Sequence, residues 1–260
     1  MNYQGRVVVV TGGTSGIGRC CVETFAAAGA QVAFCSHRDN QGEAIADEVS
    51  ARGPGAARFT RCDVTEETAL AGFIREVAER HGRLDCLVNN AGWHPPHKPI
   101  DEFTTTEFRA LLELNLMSVF VASRAALPWL RQTHGCILNI ASLVATLGQH
   151  HATIYVASKG AVLAFTRALA IDEAAHGVRV NAVSPGNIYT PLWQEAIDAS
   201  ADPDATRAAG EAAQPLGRMG TPLEVARLCL FLAADGTFIT GADHIVSGGA
   251  ELGYGPKARQ

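Results

Sequence analysis

Short runs of β-branched residues alternate along the chain with longer stretches of helical period. Each short run ends in glycine, asparagine, serine or proline, the residues that mark turns. Strands that alternate with helices form parallel sheets covered on both faces. The pattern therefore predicts an α/β fold with a doubly wound, seven-stranded parallel sheet. Its predicted strands are residues 6–10, 31–35, 57–62, 84–88, 136–140, 178–183 and 242–246.

Two longer segments depart from the regular alternation. Residues 101–130 are predicted as one helix with little polar face, and a helix that is apolar nearly all round is covered on both sides, so part of it is expected to meet another subunit. Within it, Asn115 is either a satisfied core residue or part of a disturbed turn that holds a water. Residues 187–220 are polar, alanine-rich and punctuated by prolines, which predicts a lid over a site at the strand ends.

Composition narrows the class of protein. The chain has 260 residues, 47% apolar and 18% charged, which is typical of a single globular α/β domain spanning residues 1–260. A net charge of -5 makes nucleic acid and anionic membrane poor candidate partners. Seven cysteines without a Cys-x-x-Cys pair predict buried free thiols in a reducing compartment, and we expect a cytoplasmic location. No metal is expected, since the histidines have no acidic or cysteine partner at ligand spacing.

The turn after the first strand has the features of a phosphate-binding loop. Strand, glycine turn and helix follow one another here. Glycines let the backbone approach a pyrophosphate, and the helix N-terminus offers free N–H groups. A tight packing turn is the alternative. The candidate dinucleotide contacts are Gly12, Thr14, Ser15, Gly16, Ile17 and Gly18.

The end of the second strand should meet the adenosine ribose. A carboxylate there accepts from the 2′-OH of NAD, whereas a neutral residue with a nearby Arg tolerates the 2′-phosphate of NADP. Ser36 and Arg38 favour NADP, and Asp39 keeps NAD possible. An ordinary polar loop is the alternative. Asp63, after the third strand, could accept from the adenine amino group or cap the next helix.

The chemistry is predicted at Tyr155 and Lys159, four residues apart on one face of a helix. A cation beside a phenol favours phenolate and lowers the tyrosine pKa from about 10, as a general base for an alcohol requires. Ser142 follows the fifth strand and could bind the substrate oxygen. The alternative is a chance Tyr and Lys on a structural helix.

Taken together, these motifs resemble the single-domain short-chain dehydrogenase/reductases. The matching residues are Thr11-Gly12-x-x-x-Gly16-x-Gly18, Asn89-Asn90-Ala91-Gly92, Ser142, Tyr155-x-x-x-Lys159 and Pro185-Gly186. The resemblance implies a Rossmann-type fold, usually a homotetramer, an NAD or NADP cofactor, and Asn115 as a fourth catalytic residue. The further cofactor contacts that it implies are Asp63, Val64, Asn89, Ala91, Gly92, Tyr155, Lys159, Pro185, Gly186, Ile188 and Thr190.

A closer resemblance is to family members that act on 17β-hydroxysteroids and L-fucose. That group uses NAD and has an Asp where this chain has Ser36. It implies a substrate pocket formed by His94, Gln149, Asn187, Leu192, Trp193 and Tyr254 of the partner subunit. Each has a structural alternative: the histidines as surface residues, Leu192 and Trp193 as lid core, and the tyrosine as an interface anchor.

The expected activity is hydride transfer between a secondary alcohol and a nicotinamide. The polar pocket favours a sugar such as L-fucose, because an apolar steroid would leave buried polar groups unpaired at roughly 1–3 kcal/mol each. Leu192, Trp193 and Tyr254 could stack on steroid rings, which favours a 17β-hydroxysteroid dehydrogenase instead. A dinucleotide-binding sensor without chemistry is the alternative of another class, and it would be expected to lack the Tyr or the Lys.

Overall fold

The computed structural model describes residues 1–37 and 41–252. Seven strands form one parallel sheet, as predicted, in the order β3-β2-β1-β4-β5-β6-β7. The chain winds outward from β1 to β3 and crosses back to β4, so the order reverses between β1 and β4. Ligands of such sheets bind beside this reversal, at the carboxyl ends of the strands. The strands are β1 (Val7–Thr11), β2 (Gln31–Ser36), β3 (Ala56–Arg61), β4 (Cys86–Asn89), β5 (Cys136–Ile140), β6 (Arg179–Pro185) and β7 (Asp243–Val246).

Helices cover both faces of the sheet, and their apolar sides form two large core clusters with alternate strand residues. Helices α1 and α10 pack on one face, and α3, α5 and α7 pack on the other. The helices are α1 (Gly16–Ala27), α2 (Gly42–Arg52), α3 (Glu67–His81), α4 (Thr105–Leu112), α5 (Ser118–Thr133), α6 (Val144–Leu147), α7 (Thr153–Glu173), α8 (Pro191–Asp198), α9 (Pro203–Ala212) and α10 (Pro222–Ala234).

The apolar helix predicted at 101–130 differs from the structure at its start and in its middle. It begins at Thr105, because Thr104 forms a capping box in which its hydroxyl accepts from Glu107 N at 3.1 Å. A π-helical turn, Glu113–Met117, separates α4 from α5, and Asn115 lies inside that turn. Of the two alternatives for Asn115, the disturbed turn is therefore present.

By length and composition alone, two helical spans could cross a membrane, Thr105–Thr133 and Thr153–His176. Core helices of soluble proteins pass the same test, and residues of both spans belong to the core beside the sheet.

The segment predicted as a lid, residues 187–220, contains α8 and α9, and its role as a lid stays a prediction. All seven cysteines are free thiols and six are buried, as predicted, whereas Cys20 is partly exposed.

Candidate active site

The glycine loop between β1 and α1 is packed too closely for side chains. Gly12 has a φ of +67°, and a Cβ there would lie 3.0 Å from the Cα of Ala91. A Cβ on Gly18 would overlap the carbonyl oxygen of Gly12. Gly16 has a φ of +53°, and a Cβ there would lie 3.4 Å from the side chain of Thr190. The loop therefore presents bare backbone, which a pyrophosphate can approach closely.

Helix α1 provides the donors for this anion. Its N-cap, Ser15, is extended and makes no side-chain capping bond. The first helical hydrogen bond runs from Arg19 N to Ser15 O, so the N–H groups of Gly16, Ile17 and Gly18 have no partner within the helix. Thr14 and Ser15 are at least partly exposed beside them. The loop thus fits the phosphates of a dinucleotide.

Two side chains to which the sequence analysis assigned no role of their own hold this loop against β4. Asn90 Nδ2 donates to the carbonyls of Thr11 and Gly12, both at 3.0 Å. Thr11 Oγ1 accepts from the backbone N–H groups of Asn90 and Ala91 at 3.0 and 3.1 Å. The paired Asn89-Asn90 was the available signal. Only the register of β1 against β4 shows which of the two faces the loop.

Asn89 is the member of that pair which the structure places elsewhere. Its side chain is buried and donates to Asn139 Oδ1 at 2.8 Å and to Ser123 Oγ at 3.3 Å. Asn139 in turn donates to Thr166 Oγ1. The prediction of Asn89 as a cofactor contact is therefore corrected for its side chain, because a polar amide inside a sheet needs core partners.

At the adenosine end, Ser36 closes β2 as a buried residue, and its register partner on β3 is Arg61. Asp63 is exposed and accepts from Thr65 N at 2.9 Å and Thr65 Oγ1 at 2.8 Å, and these bonds hold its pKa below the ordinary value. It forms a local turn and does not cap α3, whose N-cap is Glu66. Val64 is buried beside it. Arg38 and Asp39 lie outside the described residues.

The catalytic candidates meet where β5 ends. Ser142 follows β5, and its hydroxyl donates to the phenol oxygen of Tyr155 on α7. Lys159, one turn further along α7, donates from Nζ to the carbonyl oxygen of Ile140 at 2.8 Å and is only 5% exposed. A Cβ on Gly92 would lie 3.3 Å from that Nζ, so the end of β4 also borders the group.

Burial dominates the electrostatics of this group. It raises the pKa of Tyr155, and the hydrogen bond from Ser142 acts in the opposite direction without overcoming it. It also lowers the pKa of Lys159 to about 8. In this structure burial outweighs any lowering of the tyrosine pKa by Lys159, because the ammonium bonds to Ile140 and water exclusion favours both neutral forms, and that predicted role of Lys159 stays a prediction.

Asn115 connects the catalytic helix to the end of β4. Its fully buried amide accepts from Trp93 N at 2.9 Å and donates to Trp93 O at 3.0 Å. The same Nδ2 donates to Ser158 Oγ at 3.1 Å, and Ser158 donates to Tyr155 O at 2.7 Å. The side chain therefore holds two elements in register. Ser158, missed in the sequence analysis, is the link to the tyrosine.

Two of the predicted substrate residues lie beside Tyr155. The rings of His94 and Tyr155 are 4.1 Å apart between centroids and tilted by 43°. His94 Nδ1 donates to Pro95 O at 2.6 Å, and its Nε2 lies 2.9 Å from Gln149 Oε1. The neighbouring His97 is largely exposed, and partial desolvation together with the nearby histidines lowers its pKa. Substrate contact by His94 and Gln149 stays a prediction.

The other predicted substrate residues are tied into the segment of α8 and α9. Asn187 donates from Nδ2 to Gly210 O at 3.0 Å. A Cβ on Gly210 would lie 2.9 Å from the indole of Trp193, so this Trp packs within the segment. This packing matches the structural alternative for Trp193, and Leu192 is 44% exposed. Substrate contact by Asn187, Leu192 and Trp193 stays a prediction. Tyr254 lies outside the described residues.

The end of β6 completes the edge. Leu143 N donates to Pro185 O at 2.9 Å, which joins β6 to the loop that contains Ser142. Gly186 N donates to Val246 O on β7. Ile188 is buried against Gly220 in the core, and Thr190 caps α8 by accepting from Trp193 N. Thr190 thus lies between the glycine loop and α8.

Among the described residues, no group of three or more His, Cys, Asp or Glu could hold a metal ion.

Comparison with known proteins places this geometry in a family. Residues 12–251 match the family model described as Enoyl-(Acyl carrier protein) reductase. The L-fucose dehydrogenase of Bos taurus is 51% identical over 99% of this chain and 94% of its own length. The L-fucose dehydrogenase of Mus musculus is 52% identical over 98% of this chain and 92% of its own length. The solved structure of Thermoplasma acidophilum aldohexose dehydrogenase in ligand-free form has a TM-score of 0.87 and 31% identity, covering 99% of this chain and 98% of that one.

These matches span nearly the whole chain and agree with the observed fold. They confirm the predicted enzyme class and a nicotinamide cofactor. The chain belongs to the short-chain dehydrogenase/reductase family and is an NAD(P)-dependent oxidoreductase.

Proposed function

We propose that the enzyme oxidises L-fucose or a similar aldose at its anomeric hydroxyl to the lactone. The observation that carries this is the polar pair of His94 and Gln149 beside the Tyr155 ring. A sugar hydroxyl can exchange hydrogen bonds with both groups, whereas an apolar ligand that displaced their partners would leave them unpaired at roughly 1–3 kcal/mol each. Relatives named L-fucose dehydrogenase that share about half of the residues support the same substrate.

In the proposed reaction, Ser142 orients the substrate hydroxyl and Tyr155 removes its proton. The side-chain oxygens of Ser142 and Tyr155 share a hydrogen bond, so both can reach one substrate oxygen. A nicotinamide, when bound, supplies the hydride acceptor. Lys159 provides a buried amine one helical turn from the phenol, where its charge would favour phenolate and its N–H groups could hold the inner ribose. Asn115 keeps the end of β4 and the tyrosine helix aligned.

A 17β-hydroxysteroid is the second candidate substrate, and one feature of the pocket favours it. His94 Nε2 and Gln149 Oε1 already lie within hydrogen-bonding distance of each other, and Asn187 is engaged with Gly210. An apolar ligand that left these pairs intact would leave none of these polar groups unpaired. Leu192, which is exposed, could then contact steroid rings.

Initial rates of nicotinamide reduction separate the two substrates. L-fucose and a 17β-hydroxysteroid are each tested with NAD and with NADP at equal enzyme concentration, with Tyr155→Phe enzyme as the background control. Sugar turnover well above steroid turnover supports the proposal. Steroid turnover above that of every aldose tested would overturn it and would mean that His94 and Gln149 serve each other rather than the substrate.

For the cofactor, we propose that NADP is accepted as well as NAD. The supporting observation is that β2 ends in Ser36 rather than a carboxylate, with Arg61 as its register partner on the neighbouring strand. A cation and a small neutral residue suit a 2′-phosphate, whereas an acidic residue would repel it. The same rate measurements, made with both dinucleotides, test this assignment.

We also propose a homotetramer. Met117, Phe120 and Ile171 are exposed on the side of α5 and α7, and Phe231 and Ile245 are exposed on the side of α10 and the edge strand β7. Two separate apolar faces on one chain suit two kinds of two-fold contact, which together build a tetramer. Light scattering after size-exclusion chromatography measures the mass, and a monomer would exclude the proposal. The cytoplasmic location stays a prediction.

A further inference from the structure

His94 is held at both of its ring nitrogens. Nδ1 lies 2.6 Å from Pro95 O, and a carbonyl can only accept, so Nδ1 carries a proton. Nε2 lies 2.9 Å from the side-chain amide of Gln149. An amide has both a donor and an acceptor end, so Gln149 can satisfy Nε2 whether or not that nitrogen is protonated. The imidazole plane is therefore fixed in either charge state.

The fixed imidazole packs against the phenol of Tyr155. The centroids are 4.1 Å apart, which is closer than the 5.0 Å between the rings of His94 and His97. Among the described residues, His94 is the one whose ring contacts that of Tyr155. At its other end, the phenol oxygen accepts from Ser142. The tyrosine is thus held by an aromatic wall on its ring and a hydroxyl at its tip.

We propose that His94 is a positioning residue, which keeps the Tyr155 phenol against Ser142 and away from water by ring packing. The inference rests on the proposed role of Tyr155 as the group that takes the proton. The groups that surround His94 are Gln149, His97 and, beyond His97, the stacked pair His150 and His151. A phenol free to turn away from Ser142 would meet the substrate hydroxyl in fewer encounters, and misplacement by about 1 Å costs on the order of 100-fold in rate.

Three variants test the packing. His94→Ala removes the ring, His94→Phe keeps a flat ring without polar atoms, and His97→Ala removes a neighbouring histidine that does not touch Tyr155. We expect His94→Ala to lower kcat by about 10- to 100-fold. KM should rise to a similar extent in His94→Ala and His94→Phe, because both variants remove the polar atoms that are proposed to bond a sugar hydroxyl. His94→Phe should restore kcat to within about threefold of the unchanged enzyme, and His97→Ala should stay within about twofold.

A spectroscopic titration tests the same idea without any substrate. The tyrosinate absorbance of Tyr155 is isolated by subtracting the titration of Tyr155→Phe, since the chain has only 4 tyrosines. His94→Ala should admit water and bring the midpoint down toward that of an ordinary tyrosine, whereas His94→Phe should leave it high. Because no turnover is involved, this result stands even if neither a sugar nor a steroid is the substrate.

Two outcomes would overturn the proposal. If kcat of His94→Phe is as low as that of His94→Ala, ring packing does not hold the phenol in place, because His94→Phe keeps a flat ring at this position. If His94→Ala matches His97→Ala in kcat and in titration midpoint, the ring does not position the phenol. Should His94→Ala fail to fold, Gln149→Leu releases Nε2 from the surface side, and a kcat and midpoint unchanged from the parent enzyme would equally reject the role.

Discussion

The two halves of the sheet edge hold their ligands by different means. In the dinucleotide half, from β1 to β4, the decisive groups are glycines and backbone N–H groups, and added Cβ atoms would collide with neighbouring backbone. In the catalytic half, where β5 and β6 meet α7, the decisive groups are buried polar side chains, among them Asn115, Ser142 and Lys159. The first half thus presents a shape to a ligand, and the second presents chemical groups.

This difference separates binding from turnover in the effects of mutations. A change in the dinucleotide half alters the space that a ligand needs and should damage binding and folding together. A change of one polar atom in the catalytic half leaves the packing nearly unchanged, so it should remove turnover from a protein that still folds and binds. The following predictions test that separation, from the largest expected effect to the smallest.

Tyr155→Phe should lower kcat by about 1000-fold, because it deletes only the phenol oxygen, which accepts from Ser142 and is the proposed proton-transfer group. The ring contact with His94 is kept, so the fold should not change. Dinucleotide affinity, measured by fluorescence or calorimetry, should stay within about threefold of the parent enzyme. Ser142→Ala is the companion variant. Retained turnover in Tyr155→Phe would remove the proposed mechanism.

Gly18→Ala should destabilise the protein by about 3 kcal/mol and abolish dinucleotide binding, because the new methyl group would overlap the carbonyl of Gly12. Gly72→Ala is the matched control. Gly72 lies within α3, a methyl group added there would meet open space, and the variant should gain about 1 kcal/mol from better helix propensity. Urea unfolding measures both changes. Equal stability of the two variants would show that the loop is looser than its packing indicates.

Lys159→Met should stabilise the protein at neutral pH by about 2 kcal/mol while removing activity. Burial lowers the pKa of Lys159 to about 8, so below pH 8 the folded protein carries a buried charge whose cost is fully present. As pH rises from about 8 toward the unfolded value near 10.5, the folded state loses the proton first and that cost disappears. The gain from Met should therefore shrink across this range.

Thermal unfolding of both proteins at several pH values measures this trend. Lys98→Met is the control, since Lys98 pairs with Glu107 near the surface, and it should change stability by less than about 1 kcal/mol. A stabilisation by Lys159→Met that grows with pH would contradict the assigned direction of the pKa shift.

The sequence was sufficient to predict the fold because its strands are indicated by short runs of β-branched residues and by turn residues, and both are local features. All seven strands were predicted within about two residues of their observed ends. The start of α4 was missed because Thr104 and Glu107 form a capping box that ends an apparently continuous pattern. Grouping of Ser142, Tyr155 and Lys159 followed from the motif spacing and the parallel topology.

What the sequence could not supply was the partner of each polar side chain. Asn89 and Asn90 are identical neighbours, yet the first binds core side chains and the second holds the glycine loop. Asn187 and Trp193 fit a substrate pocket by position, and only their contacts with Gly210 place them within the lid segment. The direction of the Tyr155 pKa likewise depends on burial, which spacing along a helix does not reveal.

Ser36→Asp tests whether the dinucleotide half also contains a chemical determinant. Ser36 ends β2 beside Arg61, where a new carboxylate would repel a 2′-phosphate and accept from a 2′-OH. We expect kcat/KM with NADP to fall about 10-fold relative to that with NAD, which corresponds to about 1.4 kcal/mol. Ser36→Asn, similar in shape but neutral, should move the ratio by less than about threefold. If Asn shifts the preference as far as Asp does, the site discriminates by shape, as the neighbouring glycines do, and charge at the end of β2 is not what selects the cofactor.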